Sequence, residues 1–461
     1  MIHSKRRREH EKKTGLEIIE AVKGLLFSDQ LKETCRTKTK FFTRQRILTF
    51  PVVVGFLLNM LTKSLQIELE RFLAVLKGHS SSVSVTQQAF GKARKKLSAK
   101  TFILLDERLV DEFYTDNTYT TWKGYRLMGI DGSTVQLPMT KEIITAFGGV
   151  TNQHGFVMAM AKISAVYDVE NGMTVHALID QYSSEERELA LQHIEAVCAF
   201  DHRTAGHRGH ARDLFLFDMG YPALYFMALM IRWDKDFVIR TSDAFLKEVQ
   251  EVIESGDDDV VIEIPIHIAE RPLPKKLTRR VPDIDPETVL SIRVISLTLD
   301  NGTRETLLTT LLDKTAFPIS DFQGLYAKRW GSESNYDVLK NVLEIENFTG
   351  KSALSVRQDF YATVLTNNIR GLIHWELQEE VEAENQSKGR KYEYQLNINL
   401  SIGRLKDRLV TLLLKQGDLQ AFYDELKQQI KRTMTPIRPG RNFPRTHKNR
   451  QKYTMTKKRA L

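Results

Sequence analysis

The stretch YRLMGID, residues 125–131, is where the chain changes its period. Before it, apolar residues recur every three or four positions; from here they crowd into short runs bounded by turn residues, as strands do. AKISAVYDV (161–169) reads as a second strand, Asn171-Gly172 as a tight hairpin turn, and MTVHALID (173–180) as a third strand, which together make a β-meander. SSEERELALQHIEAVCAF (183–200) opens with two serines and carries glutamates in its first turn, as a helix N-terminus favours. DLFLFD (213–218) then reads as a short apolar strand, YPALYFMALMIRW (221–233) as a helix and DFVIRT (236–241) as a strand. The order β-β-β-α-β-α-β is that of a layered α/β fold whose later strands, joined through helices, run parallel. Asp131 closes the first strand and Asp218 the fourth. Ligand sites in open α/β sheets lie beyond the carboxyl ends of strands, so these two acids are candidates to meet in space.

Working outward, residues 14–115 read as helical throughout, with a three-to-four-residue apolar repeat in GLEIIEAVKGLLF, SLQIELERFLAVL and FILLDERLVDEF. In SVTQQAFGKARKKL (84–97), Ser84 and Gln87 form a capping-box start, and Lys92, Arg94, Lys95 and Lys96 follow Val85, Ala89, Phe90 and Ala93. Such a helix either lays its basic side on DNA, as the second helix of a helix-turn-helix does, or is a solvated amphipathic helix; spacing does not choose between them. Residues 242–311 alternate in the β manner around a Pro- and Arg-rich loop, RPLPKKLTRRVPDIDP, and read as a β-rich insertion. Long helices return at about 353–384 and 401–430, and residues 431–461 carry eleven Lys or Arg and no acid. The expected organisation is a helical DNA-binding region (1–120), a catalytic core in two parts (121–241 and 312–384) split by the insertion (242–311), and a helical C-terminal region with a basic tail (385–461).

Composition narrows the partners. The 461 residues are 42% hydrophobic and carry a formal charge of +9, which suits a globular protein with an anionic partner, nucleic acid ahead of membrane because the cations gather at the ends. Cys35 and Cys198 stand far apart, so neither a disulfide framework nor a cysteine zinc site is expected, and Cys198, His202, His207 and His210 match no standard zinc spacing. ILTFPVVVGFLLNML (47–61) is broken by Pro51 and is shorter than the roughly 20 residues a spanning helix needs. The basic N-terminus lacks the apolar stretch of a signal peptide, and a reducing cytosol is expected. GlyLysSer at 350–352 reads as a helix start, because Ile345 stands where a phosphate loop needs glycine. Trp330 and Trp375 read as core residues, with packing near an unstacked base as the alternative for Trp330.

One segment stands apart. LYAKRWGSESNYDVLK (325–340), read as a single helix, places Tyr326, Arg329, Glu333 and Lys340 on one face, at offsets of three, four and seven. With Glu333, three carboxylates (Asp131, Asp218, Glu333) stand out as candidate catalytic residues and metal ligands. Hard cations take oxygen ligands, one or two carboxylates per ion, so three can hold a pair of Mg²⁺ ions, with Mn²⁺ as the substitute. Two such ions serve in-line phosphodiester displacement, and Tyr326, Arg329 and Lys340 would then hold the DNA backbone beside them.

Tyr326-x2-Arg329-x3-Glu333-x6-Lys340 resembles the YREK signature of the insertion-sequence-four family of bacterial DDE transposases. GIDGSTVQLP (129–138) is similar to that family's first-Asp region and LFDMGYPA (216–223) to its second, and the likeness spans roughly 85–375. It implies a ribonuclease-H-like mixed sheet with a β-rich insertion between Asp218 and Glu333, cleavage at the terminal inverted repeats of an insertion sequence, and joining of the ends to target DNA. It implies as well a homodimer in the synaptic complex, double-stranded DNA at both element ends and target, and a nucleoid-associated place in a bacterial cytoplasm. Two other readings stay open: a non-catalytic DNA-binding relative that relies on residues 84–97 and the tail, and a sequence-nonspecific nuclease with the same metal chemistry.

Overall fold

The computed structural model describes residues 13–438 except 45, 60–63, 78–83, 116–118, 152–154, 156, 205–210, 267–287 and 300–301. The basic ends, the Pro- and Arg-rich loop, His207, His210 and Asn301 therefore lie outside the described residues. By their contacts these form two units, a helical one drawn from Met1–Tyr119, Thr134–Ala161 and Asp337–Leu461, and a sheet unit from Thr120–Ser133 and Lys162–Tyr336.

The helical unit begins with α1 (Gly15–Leu26), α2 (Asp29–Cys35), α3 (Phe50–Leu58), α4 (Leu65–Lys77), α5 (Gln87–Arg94) and α6 (Lys100–Phe113). Aromatic residues lock three of these together, Phe56 of α3 meeting Phe72 of α4 at 5.1 Å and Phe90 of α5 at 4.6 Å, edge to face. The start and end of α5 differ from the sequence expectation. Its cap is Thr86, whose hydroxyl accepts from the Ala89 amide at 3.2 Å, and it stops at Arg94, so Ser84 caps nothing. Arg94 also faces inward with Phe90 and Ala93. Its guanidinium pairs with Asp359 at 2.9 Å and donates to Gln358 at 2.9 Å and Thr349 at 2.6 Å.

The chain continues through β1 (Tyr125–Gln136), α7 (Lys141–Phe147), β2 (Gly149–Thr151), β3 (Val157–Asp168), β4 (Met173–Gln181) and α8 (Glu186–Thr204). Next come β5 (Arg212–Phe217), α9 (Leu224–Arg232), β6 (Asp236–Thr241), α10 (Lys247–Ser255), β7 (Asp259–Pro265), β8 (Val289–Thr298), β9 (Arg304–Thr309), α11 (Ser320–Ala327) and α12 (Trp330–Asp337). A π-helical turn (Val338–Val342) follows, then α13 (Ala353–Ser387), β10 (Tyr394–Leu396), α14 (Ile398–Leu405), α15 (Arg408–Leu414), α16 (Gln420–Lys431) and β11 (Met434–Pro436). Ser352, from the predicted helix start, caps α13 in a capping box with Ser355.

The main sheet has the order β2-β3-β1-β5-β6-β9-β8-β7, with β4 on β3. β1, β5 and β6 are parallel neighbours. The hairpin turn at Gly172 is left-handed, with φ +69°, a conformation glycine adopts without strain. The sheet order β4-β3-β1-β5-β6, a meander followed by two parallel strands joined through α8 and α9, is the ribonuclease-H-like arrangement. Strands β7 to β9, expected as an insertion, form no layer of their own: β9 pairs antiparallel with β6, and β8 and β7 extend the same sheet. The alternation of that region hid one helix, α10, which buries only Val249 and Val252.

Both faces of the central strands are buried, which is why they read as continuous apolar runs rather than alternating ones. Phe215 and Phe217 point with Met128 and Ile130 into a core against α8 and α9. Leu214 and Leu216 point with Tyr125 and Leu127 into a second core against Phe322, Leu325 and Tyr326 of α11. Among the described residues no helix is long and apolar enough to cross a membrane.

Candidate active site

Period two decides which face carries the acids. Asp131 has the parity of Tyr125 and Leu127, and Asp218 that of Leu214 and Leu216, so both lie on the α11 side of the sheet. β1 and β5 pair in parallel register, Gly129 opposite Leu216. The pairing ends there, two residues before Asp131 on one chain segment and two before Asp218 on the other. Asp131 does not end its strand as expected, since β1 runs on to Gln136; β5 is the strand that ends, at Phe217, one residue before Asp218.

The helical arm that brings Glu333 to this place is held by close approach. A Cβ on Gly129 would lie 2.1 Å from Ser332 Oγ, and one on Gly331 would lie 3.1 Å from Val169 Cγ1, so α12 seats its Ser332 side chain against β1 where Gly129 has none and meets Val169 where it has none itself. The arm is not the single helix read from the sequence. Amides of Arg329, Gly331 and Ser332 bond three residues back, to Tyr326, Lys328 and Arg329, and these tightened turns separate α11 from α12. Trp330 opens α12 half exposed, against its reading as core, with the Arg329 guanidinium 5.0 Å from its ring. Trp375 meets Phe113 edge to face at 5.0 Å within the helical unit.

Tyr326, Arg329 and Glu333 nevertheless come together. Arg329 is buried, donates to Glu333 Oε1 at 3.1 Å and lies 5.8 Å from the Tyr326 ring, while the Tyr326 hydroxyl donates to the Phe217 carbonyl at 3.2 Å. Burial, helped by the carboxylate of Asp218, raises the Tyr326 phenol above its ordinary range. Lys340 falls elsewhere, in the π-helical turn that belongs to the helical unit.

Asp131 reports how crowded the place is with negative charge. Its carboxyl is pushed up to about 6, first by burial and then by Glu333 and Asp218, against the opposing pull of the Gly132 amide at 2.7 Å and of Arg329. Two buried polar atoms in the same surroundings, Arg329 Nε and the Tyr221 hydroxyl, have no hydrogen-bond partner among the described residues. Among the described residues no three His, Cys, Asp or Glu side chains are already arranged to hold a metal ion.

Sequence reasoning missed the residues that fix the Asp131 backbone. Its carbonyl accepts from the Tyr336 hydroxyl at 2.8 Å and from Ser164 Oγ at 3.0 Å. Tyr336 lies three residues after Glu333, in a stretch that followed no pattern, and it ties the glutamate's helix to the aspartate's strand. Ser164 in turn meets His193 Nε2 at 3.0 Å, and His193 Nδ1 meets His176 Nδ1 at 2.8 Å. Burial lowers His193 well below the usual range and His176 to about 4, so both rings stay neutral near pH 7. The only sequence signal for Tyr336 was its helical offset from Glu333.

Fold and site together define a class: a ribonuclease-H-like α/β protein with one aspartate within β1, one just past β5 and a glutamate on α12 close enough to act on one another. Residues 122–369 match the family described as the transposase DDE domain. The chain is 23% identical over 384 residues to the transposase InsG for insertion sequence element IS4 of Escherichia coli K12, covering 82% of this chain and 80% of that protein. It is also similar to a piggyBac transposase solved as a synaptic complex with hairpin DNA, at 11% identity and a TM-score of 0.41, over 95% of this chain and 89% of that one. The family match spans more than half of the sequence, and the protein belongs to the DDE transposases.

Proposed function

We propose that this protein cuts DNA at the terminal inverted repeats of an insertion sequence and joins the ends to target DNA, with Asp131, Asp218 and Glu333 holding two divalent cations, Mg²⁺ or Mn²⁺. The observation that carries the reading is the crowding at Asp131, two residues past the last paired position of β1 and β5, whose carboxyl is pushed up to about 6, first by burial and then by Glu333 and Asp218. Like charges so placed repel, and a divalent cation relieves the repulsion. The donor set fits: hard oxygen ligands, two of them strand-borne, and magnesium usually takes only one or two carboxylates per ion. When bound, the ions activate a water or a 3′-hydroxyl and stabilise the leaving oxygen of an in-line displacement.

The chain's own residues do the rest. Tyr336 and Ser164 hold the Asp131 backbone still. Arg329 keeps Glu333 in place, and its unpartnered Nε is a donor for a phosphate oxygen of the scissile strand. Its burial makes that contact stronger than a surface one would be, because screening by water is reduced. Tyr326, through its ring, supports Arg329 rather than reaching far into solvent. Lys340 contacts the backbone of the end, and Lys92, Lys95 and Lys96 supply further phosphate contacts. Arg94, already spent on Asp359, is not available for that work.

Strand cleavage on a duplex carrying the element's end tests the proposal. Asp131→Ala, Asp218→Ala and Glu333→Ala each abolish cleavage while leaving DNA binding in place. Cleavage retained by any one of them removes that residue from the site, and binding without any divalent-dependent cleavage by the wild type leaves a non-catalytic DNA-binding relative.

A further inference from the structure

A fourth carboxylate stands at the mouth of this site. Glu186 is the first residue of α8, and its side chain lies near the glycines that follow both aspartates. A Cβ on Gly132, the residue after Asp131, would lie 3.3 Å from Glu186 Cγ and 3.5 Å from its Cδ and Oε1. A Cβ on Gly220, two residues after Asp218, would lie 3.9 Å from Oε2. One carboxylate thus spans both acidic loops, resting where each lacks a side chain. Arg187 holds α8 in that place, its Nε donating to the Gly220 carbonyl at 3.1 Å.

A glutamate in the first turn of a helix is ordinarily explained by the helix dipole alone, worth under about 1 kcal/mol at an exposed site. Two observations go beyond that. Asp131 and Glu186 both raise Tyr221 and Tyr336, after the larger effect of burial, so the glutamate's charge acts on the same buried phenols as the catalytic aspartate's. Its nearest cation, Lys162 on β3, stands at 3.4 Å, and the glutamate side chain stays half exposed. A charge placed this way adds to the negative field of the aspartates and faces the solvent from which ions and DNA arrive.

We propose that Glu186 is a positioning residue of the cation site, strengthening divalent-cation binding at Asp131 and Asp218 from outside their direct ligand set. This rests on the reading of those aspartates as cation ligands. Partners of that outer kind are typically worth 10- to 100-fold in metal affinity or activity.

The experiment is Mn²⁺ binding to the full-length protein, followed through the electron paramagnetic resonance signal of free Mn²⁺, with Mn²⁺-dependent nicking of supercoiled plasmid alongside. Glu186→Gln keeps shape and removes charge, and at a half-exposed helix start it leaves the fold intact. Expected is binding weakened about tenfold, with nicking that needs correspondingly more Mn²⁺ to reach half its maximal rate. A merely structural glutamate would move neither. Wild-type affinity in Glu186→Gln, beside loss of binding in Asp131→Ala, overturns the role of Glu186 alone. Wild-type affinity in Asp131→Ala shows instead that the cation site is misplaced, and the proposed function falls with it.

Discussion

The same two strands carry charge at both ends and treat it in opposite ways. Near their amino ends, register sets Arg126 of β1 opposite Asp213 of β5, and the two form an ion pair at 2.5 Å. Lys235 joins Asp213 at 3.0 Å and Asp201 at 2.5 Å, so a buried acid is answered by buried cations. Past the paired positions at the other end, Asp131 feels Asp218 and Glu333, like against like, with Arg329 as the cation among them. A buried ion pair roughly breaks even against desolvation once both partners are present. Carboxylates gathered with too little positive charge do not, and such a cost is what functional sites characteristically bear.

The largest expected effect separates the two ends. Asp218→Ala lowers strand cleavage by on the order of 10³-fold or more while its urea midpoint stays at or above that of the wild type, because a repulsion has been removed. Asp213→Ala does the converse: it removes the buried acid shared by Arg126 and Lys235, leaves them the partly exposed Asp201, and is expected to cost about 1–3 kcal/mol in urea unfolding. If Asp213→Ala proves as stable as the wild type, the amino-end network is not what holds that end of the sheet.

A third carboxylate, far from either cluster in sequence, sharpens the comparison by having a neutral partner. Asp106 on α6 accepts from Asn368 at 2.9 Å, and burial pushes it up to about 7. A raised carboxyl binds its proton in the folded state, so its contribution is fully present below about pH 4 and is lost as pH rises through 7. Asp106→Asn removes that loss. The variant is expected to exceed the wild type by roughly 2–4 kcal/mol in urea unfolding at pH 8.5 and to match it near pH 4. An equal gain at both values would mean that the effect is packing rather than charge.

The smallest effect concerns the clamp between the helix of Glu333 and the strand of Asp131. Tyr336→Phe removes one hydrogen bond to the Asp131 carbonyl, worth about 1 kcal/mol in stability. Cleavage is expected to fall about tenfold, with DNA affinity unchanged in a gel-shift titration. Unchanged cleavage would show that Ser164 alone suffices to fix the aspartate.

Much of this was legible beforehand, and for a common reason. DLFLFD and DFVIRT announced buried strands because both faces of β5 and β6 are covered, and period-three spacing announced the helices. Residue type and spacing near strand ends marked the acids as candidates. Less legible were α10, which buries two valines in a region that alternates, and the break at Arg329, where bonds three residues back interrupt a pattern that reads as continuous helix. Arg94 looked like part of a basic face. Its inward turn depends on Asp359, which the fold alone brings to it.

By itself, then, the sequence determined where most strands and helices form and marked three acids as candidates, since periodicity and residue chemistry act locally along the chain. Only the tertiary structure decided that Arg126 meets Asp213 while Asp131 feels Asp218, that Tyr336 clamps one acid's strand to another's helix, and that Glu186 reaches both aspartate loops. Those outcomes depend on register and burial between segments far apart in sequence. A buried charge costs or gains according to what folding sets against it.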